Sequence, residues 1–319
     1  MTPCGWYRVT NWLRLGLMGS LAIAPFYLFD GCNAIAQTVP TYLTAQTEMG
    51  NMQRLAQQTT VRILTPNASG SGVIVQRQGQ TYTVLTSWHV VAFSDQHTIM
   101  TPDGRSYTPV SRQLKQLGNT DLAITQFRSN SSYQVASISN QPVLIGELVF
   151  AAGFPMYQEQ SLATTFDQGI REFRFTRGEV SVLPPKSLAQ GYRLGYTNDI
   201  AVGMSGGPIF NAKGLLIGIN GRVKNRDPDF GVYAFEDGTE PSPGLLAQIV
   251  NSSLGIPISS YLQFQNLPQS QQPVLSPETT ENNIQLNPPV PILRKPESTA
   301  SPVILPKQSV GEVRSTLSE

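Results

Sequence analysis

The feature that most constrains the fold of this chain is a series of short β-prone runs at nearly regular spacing between residues 61 and 234. They fall at 61–64, 72–75, 81–85, 98–100, 122–127 and 135–138, then at 143–152, 172–176, 179–183, 192–197, 207–211, 215–219 and 231–234, with Gly, Asn, Ser and Asp between them. Runs this short suit strands better than helices, and the turn residues between them return the chain on itself. Such a pattern closes antiparallel sheets into barrels or sandwiches. The two groups predict an all-β protein of two six-stranded antiparallel barrels, about 55–140 and 141–240, with a cleft between them. A cleft of that kind is a usual place for a site.

Less regular segments flank the barrels. Residues 37–54 read as a lead-in, irregular over 37–50, with a short helix at 52–58. Apolar residues at helical spacing (Leu245, Leu246, Ile249, Val250) follow Pro243 and stop near Gly255, which predicts a C-terminal helix at 244–252. A further short helix is expected at 258–264. Beyond Phe264 the chain holds no aromatic residue and nine of the 24 prolines, so 265–319 reads as a disordered Pro/Gln/Ser-rich tail. The stretch Pro288-Pro289-Val290-Pro291 within it suits either a Pro-rich recognition segment or a solvated linker.

The chemistry is carried by Gly203-Met204-Ser205-Gly206-Gly207-Pro208, directly before an apolar strand. Glycines on both sides of a serine in a sharp turn expose its hydroxyl and leave backbone N–H groups free to approach a ligand. Serine is a weak nucleophile alone and needs a base and a group that orients the base. The chain has only two histidines, His89 and His97. His89 ends the β-rich run Thr81-Tyr82-Thr83-Val84-Leu85-Thr86-Ser87-Trp88, while His97 reads as an exposed loop or strand-start residue without a role. Asp121 stands at the mouth of the strand Leu122-Ala123-Ile124, which gives the chain order His, Asp, Ser. Each of these residues alone is commonplace in a turn or cap; their joint occurrence is what points to a triad.

Thr86-Ser87-Trp88-His89-Val90-Val91, Asp121-Leu122-Ala123 and Gly203-Met204-Ser205-Gly206-Gly207-Pro208 are similar to the three motifs of chymotrypsin-like serine peptidases. The likeness is greatest to the bacterial branch of HtrA/Deg and glutamyl-endopeptidase types, and covers roughly 55–235. It implies a serine endopeptidase acting on protein or peptide substrates through an acyl-enzyme, with no cofactor. Ser205 would attack the carbonyl, His89 would take and return the proton, and Asp121 would hold the imidazole. The backbone N–H groups of Gly203 and Ser205 would form the oxyanion hole. Two positions depart from the animal enzymes: Trp88 replaces a small residue, and Met204 replaces the Asp that pairs with a freshly cut N-terminus. Activation through that ion pair is therefore excluded, and other contacts or the substrate must hold the hole. The tail lacks the composition of the PDZ module that many HtrA-type enzymes carry.

By the same resemblance Asp199, six residues before the nucleophile, would lie at the base of a substrate pocket with Gly218, Ile219, Asn220 and Gly221 on its wall. Two preferences compete. An exposed Asp199 carboxylate would favour cleavage after Arg or Lys; Arg222, by neutralising it, would remove that selectivity and leave an aliphatic pocket. A second class of function also stays open, a catalytically silent or latent binding module on the same fold.

Composition narrows the partners and the compartment. With 22 basic and 21 acidic residues the net charge is +1, which offers no footprint for nucleic acid. Arg8 and Arg14 precede the uncharged apolar run 15–29, and Ala34-Ile35-Ala36 offers a small-x-small cleavage site. Residues 1–36 thus read as a signal peptide, with an uncleaved anchor or a lipid on Cys32 as the competing readings, and membrane contact through that segment alone. Both cysteines, Cys4 and Cys32, would leave with it. A mature chain with no thiol has no disulfide and no thiolate metal site, which fits a bacterial periplasmic or extracellular protein. No metal site is expected; the acidic residues Asp227, Asp229, Glu236 and Asp237 read as a solvated loop rather than a calcium site.

Overall fold

The β-prone runs form thirteen strands in the computed structural model, which describes residues 41–266 apart from 93, 95, 111–114 and 228–232. The signal segment, both cysteines, Asp229 and residues 267–319 of the expected tail lie outside the described residues.

The first group gives β1 (Thr60–Leu64), β2 (Ser69–Gln78), β3 (Thr81–Ser87), β4 (Thr98–Met100), β5 (Ser106–Tyr107), β6 (Lys115–Gln116) and β7 (Leu122–Arg128). They make one seven-stranded sheet in the order β5-β4-β1-β2-β3-β7-β6. The second group gives β8 (Leu148–Gly153), β9 (Arg174–Val182), β10 (Leu194–Tyr196), β11 (Pro208–Asn211), β12 (Leu216–Arg222) and β13 (Ser253–Pro257). These close into a six-stranded barrel in the order β10-β13-β12-β11-β8-β9. All these elements fall in one compact unit. The architecture is the expected all-β, two-barrel one, with the first half built as a sheet of seven rather than six strands.

Each half has its own core. Val61, Ile63, Ile74, Val84, Ile99 and Phe127 fill the first, while Val149, Val180, Leu194, Tyr196, Ile209 and Ile217 fill the second. Burial of aliphatic side chains at about 1.5–3 kcal/mol each is the main favourable term on both sides.

Several boundaries differ from the sequence reading. The two runs at 172–176 and 179–183 are one strand, because the Gly178 between them continues the ladder opposite Val149. Residues 135–138 form no strand; Ile138 makes only a single parallel bridge to Leu216. The closing strand β13 departs from the sequence reading, in which Gly255 marks the stop of the preceding helix. Gly255 instead pairs with both Leu194 and Asn220, in a spot where a Cβ would lie 2.6 Å from Ile209 Cδ1. The lead-in is helical from its first described residue: α1 runs Thr41–Thr59, with Met52 and Ala56 buried one turn apart. α2 is the single turn Trp88–Val91, and α3 covers Pro243–Val250 with Pro at its first position, where the missing N–H costs nothing. α4, Ile258–Gln265, takes in the first residue of the expected tail.

Candidate active site

Strand register brings the first two candidate residues together. β3 and β7 pair antiparallel from Thr81 opposite Arg128 to Ser87 opposite Leu122. The residues just beyond that end, Trp88-His89 on one strand and Asp121 on the other, must therefore meet. Trp88 N–H donates to the Asp121 carbonyl at 3.1 Å, and His89 N–H donates to Asp121 Oδ1 at 2.8 Å. The His89 ring then sets Nδ1 against Asp121 Oδ2 at 2.6 Å. A third donor to the carboxylate, on Oδ2, is the phenol of Tyr192, which reaches across from the second half.

Asp121 is buried to 1% exposure, whereas the His89 side chain remains 44% exposed. Burial alone would push the Asp121 carboxyl up. The charge and hydrogen bonds of His89 and the hydrogen bond from Tyr192 outweigh that and hold it below the ordinary carboxylate range. Burial and then the Asp121 charge push the Tyr192 phenol well above its ordinary value, against the opposing charge of Arg222. The pair is therefore an ionised carboxylate facing the inner nitrogen of an imidazole whose outer edge is open.

Ser205 comes from the second half, on the turn that leads into β11. Gly206 has φ +85°, and a Cβ there would lie 2.1 Å from Ser71 O, so the turn requires glycine. Ser71 at the start of β2 ties this turn to the first sheet. Its N–H donates to Ser205 O at 2.8 Å and its hydroxyl donates to Gly203 O at 2.9 Å, while accepting from Phe154 N–H at 2.8 Å. The Val202 carbonyl accepts from Met156 N–H at 2.7 Å, which fixes the peptide plane carrying Gly203 N–H. The Met204 carbonyl accepts from Gly207 N–H at 3.1 Å, which does the same for Ser205 N–H. Neither Gly203 N–H nor Ser205 N–H donates to another group among the described residues. These contacts answer the question raised by Met204. That side chain is fully buried in the second core, and its sulfur accepts from Ala201 N–H at 3.3 Å. The turn is held by hydrogen bonds from β2 and the 154–156 segment in place of an ion pair.

The Ser205 hydroxyl is engaged by β12. It donates to the Gly221 carbonyl at 2.9 Å, and no hydrogen bond joins it to His89 among the described residues. Catalytic hydrogen bonds are commonly loose before substrate binds.

The expected pocket residues are placed differently. Gly218 and Ile219 are built into the barrel, and Asn220 is fully buried, with Oδ1 accepting from Tyr196 and Nδ2 donating to Ala152 O. The fourth, Gly221, accepts the Ser205 hydroxyl through its carbonyl. Asp199 is 68% exposed, with Arg174 and Lys224 each 3.5 Å from its carboxylate. Its charge is thus partnered at the surface by two cations. Arg222 lies over the Tyr192 ring at 4.1 Å and donates to Gln190 Oε1 at 2.8 Å, and both partners belong to the Asp121 side of the site. An open cavity of about 610 Å³ flanks the nucleophile turn instead, between Ala201-Val202 and the segment from Pro155 to Phe175. His97, expected at the surface, is buried, with Nε2 against Thr125 Oγ1 at 2.9 Å. Of the acidic loop residues, Asp237 pairs with Lys186 at 2.6 Å.

Sequence reading missed Tyr192 and Ser71. Nothing local marks either one, because each acts through a partner more than 70 residues away.

Two half-molecules that meet at a His–Asp pair and a glycine-bounded serine define a trypsin-like peptidase domain, and residues 70–219 match the family model of that description. The chain is similar to bacterial serine proteases of the DegP and HtrA type. It is 28% identical over 165 residues to the "Probable periplasmic serine endoprotease DegP-like" of Hahella chejuensis, covering 51% of this chain and 31% of that one. The Pseudomonas putida protein of the same description is 30% identical over 166 residues, 50% of this chain and 30% of that one. The "Serine protease Do-like HtrA" of Bacillus subtilis is 28% identical over 224 residues, 65% of this chain and 46% of that one. The matches thus span less than half the length of these relatives.

Proposed function

We propose that this chain is a serine endopeptidase that cleaves protein or peptide substrates through an acyl-enzyme on Ser205. The carrying observation is the buried Asp121 carboxylate, which grips His89 at both its backbone N–H and its ring Nδ1 while the His89 side chain stays 44% exposed. In this reading a rotation about the Ser205 Cα–Cβ bond exchanges the Gly221 carbonyl for His89 Nε2. The hydroxyl proton then passes to Nε2 as Oγ bonds to the substrate carbonyl carbon, and the carbonyl oxygen becomes an anion. Gly203 N–H and Ser205 N–H, held in orientation and without another acceptor, stabilise that anion. The imidazolium, balanced by Asp121, gives its proton to the leaving amine as the C–N bond breaks. Water repeats the sequence on the acyl-enzyme and restores the serine.

The relatives' names point to a periplasmic or secreted setting, which agrees with the leader read from residues 1–36. No described helix is long and apolar enough to cross a membrane. A silent binding module is not favoured, because the relatives are named as serine endoproteases. Cleavage of an unfolded protein substrate tests the proposal. Ser205→Ala is expected to lose at least roughly 10⁴-fold in kcat while keeping its fold. Undiminished cleavage by the folded variant would overturn it.

A further inference from the structure

We propose that Tyr192 is a positioning residue for the catalytic base: its phenol, clamped by Arg222, fixes the Asp121 carboxylate from the opposite half of the molecule and sets how strongly that carboxylate favours a charged His89. This rests on the triad reading above.

The geometry is specific. Tyr192 is buried to 1% exposure, and its Oη–H donates to Asp121 Oδ2, the same oxygen that faces His89 Nδ1 at 2.6 Å. The segment around it also holds the backbone of the acid, since Asp121 N–H donates to Gln190 O at 2.8 Å. Gln190 and Gly191 take positive φ, +68° and +87°, so the chain turns sharply to bring both contacts to one carboxylate. Space for the phenol is made by Gly221, where a Cβ would fall 2.2 Å from a ring carbon and 2.5 Å from Oη. The next residue, Arg222, lays its guanidinium 4.1 Å from the ring centroid and anchors to Gln190 Oε1 at 2.8 Å.

A buried tyrosine needs some partner for its hydroxyl, but a backbone carbonyl would serve for structure alone. Donating to the catalytic carboxylate has a further consequence. Each hydrogen bond on Oδ2 spreads its negative charge, so the phenol weakens the pull of Asp121 on the imidazolium. It also blocks rotation of the carboxylate about its own axis. Arg222, a cation against the ring, acts in the same direction by making the phenol a better donor and by opposing the charge on His89. The charged and titratable groups facing the pair are thus His89, Asp121, Tyr192 and Arg222, with Tyr196 behind Tyr192.

The test is Tyr192→Phe in the full chain, which keeps the ring against Gly221 and Arg222 and removes only the hydroxyl. The acid limb of kcat/KM is expected to move to higher pH by about half a unit to one unit. At the plateau kcat should fall by roughly 10-fold with little change in KM, as for a misdirected base. The proton between His89 Nδ1 and Asp121 gives a far-downfield proton resonance that needs no turnover, and its titration midpoint should rise with the kinetic one. His97, on a threonine, gives no such signal. Arg222→Gln, which leaves the phenol in place, should shift both midpoints in the same direction by less. A folded Tyr192→Phe whose acid limb and downfield resonance coincide with wild type overturns the proposal. If that variant does not fold, unshifted midpoints in Arg222→Gln overturn it. Should the wild-type chain show no turnover, the triad reading fails while the resonance still decides this inference.

Discussion

The two halves of the active site are built to opposite standards of satisfaction. On the first sheet Asp121 accepts three hydrogen bonds, and its backbone N–H and carbonyl are both engaged. On the second barrel the Ser205 turn keeps two N–H groups without an acceptor among the described residues, and its hydroxyl rests on the Gly221 carbonyl. In the proposed mechanism the polar surplus sits where charge develops during reaction, and the polar saturation sits where charge must be held ready. An ionised buried carboxylate survives only with donors around it, whereas an oxyanion site works only if its donors are oriented but not consumed. The backbone of the turn is nevertheless rigid, because each unpaired N–H belongs to a peptide whose carbonyl is bonded, Val202 to Met156 and Met204 to Gly207.

The strongest way to break this contrast is to spoil the saturated side. Asp121→Asn retains the volume but presents an amide donor where His89 Nδ1–H needs an acceptor. The wrong tautomer should cost about 10⁴-fold in kcat near neutrality, with recovery as pH rises. A loss of less than ten-fold in the folded variant would show that the pairing is not what readies the base.

A smaller effect is expected on the poised side. Ser71→Ala leaves the Gly203 carbonyl and the Phe154 N–H, both bonded only through that hydroxyl, without a partner. Each buried orphan costs about 1–3 kcal/mol, so thermal stability should drop. A kcat lowered by roughly 10-fold or more, with KM nearly unchanged, would mark a tilted oxyanion hole. Lower stability at full kcat would mean that the 156–202 bond alone orients the turn.

The smallest effect concerns His97, which lies outside the site. Burial lowers its pKa, so the unfolded chain takes up the proton first as pH falls. Its contribution to stability is therefore complete above the ordinary value of about 6.5 and is lost as pH falls through the lower folded value. Denaturation midpoints of wild type and His97→Gln should run parallel above that pH and converge below it. Parallel curves throughout would contradict the burial seen here.

What the sequence disclosed follows the same division. His89, Asp121 and Ser205 were legible because each sits in a short local pattern, and β3–β7 register then leaves the first two no choice but to meet. The two-barrel architecture was legible from turn spacing. Strand β13 was not, since Ser253-Leu254-Gly255-Ile256-Pro257 carries a glycine and a proline and qualifies as a strand only because the barrel supplies both neighbours. The length of α1 escaped because most of it is polar and, among its described side chains, only Met52, Ala56 and Thr59 are buried. The surroundings of Asp199 escaped because a count of residues back from Ser205 does not carry the conformation of the loop, which sets its carboxylate at the surface beside Arg174 and Lys224. Tyr192 and Ser71 were invisible because their meaning lies wholly in partners from the other half.

The most direct measurement of the central claim is covalent labelling of the intact chain by a fluorophosphonate, read by peptide mass mapping. One adduct on Ser205 is expected, formed faster as pH rises from acid to neutral and absent from the folded Ser205→Ala and His89→Ala variants. A folded wild-type chain that stays unlabelled across that pH range, or labels at another serine, would contradict the account.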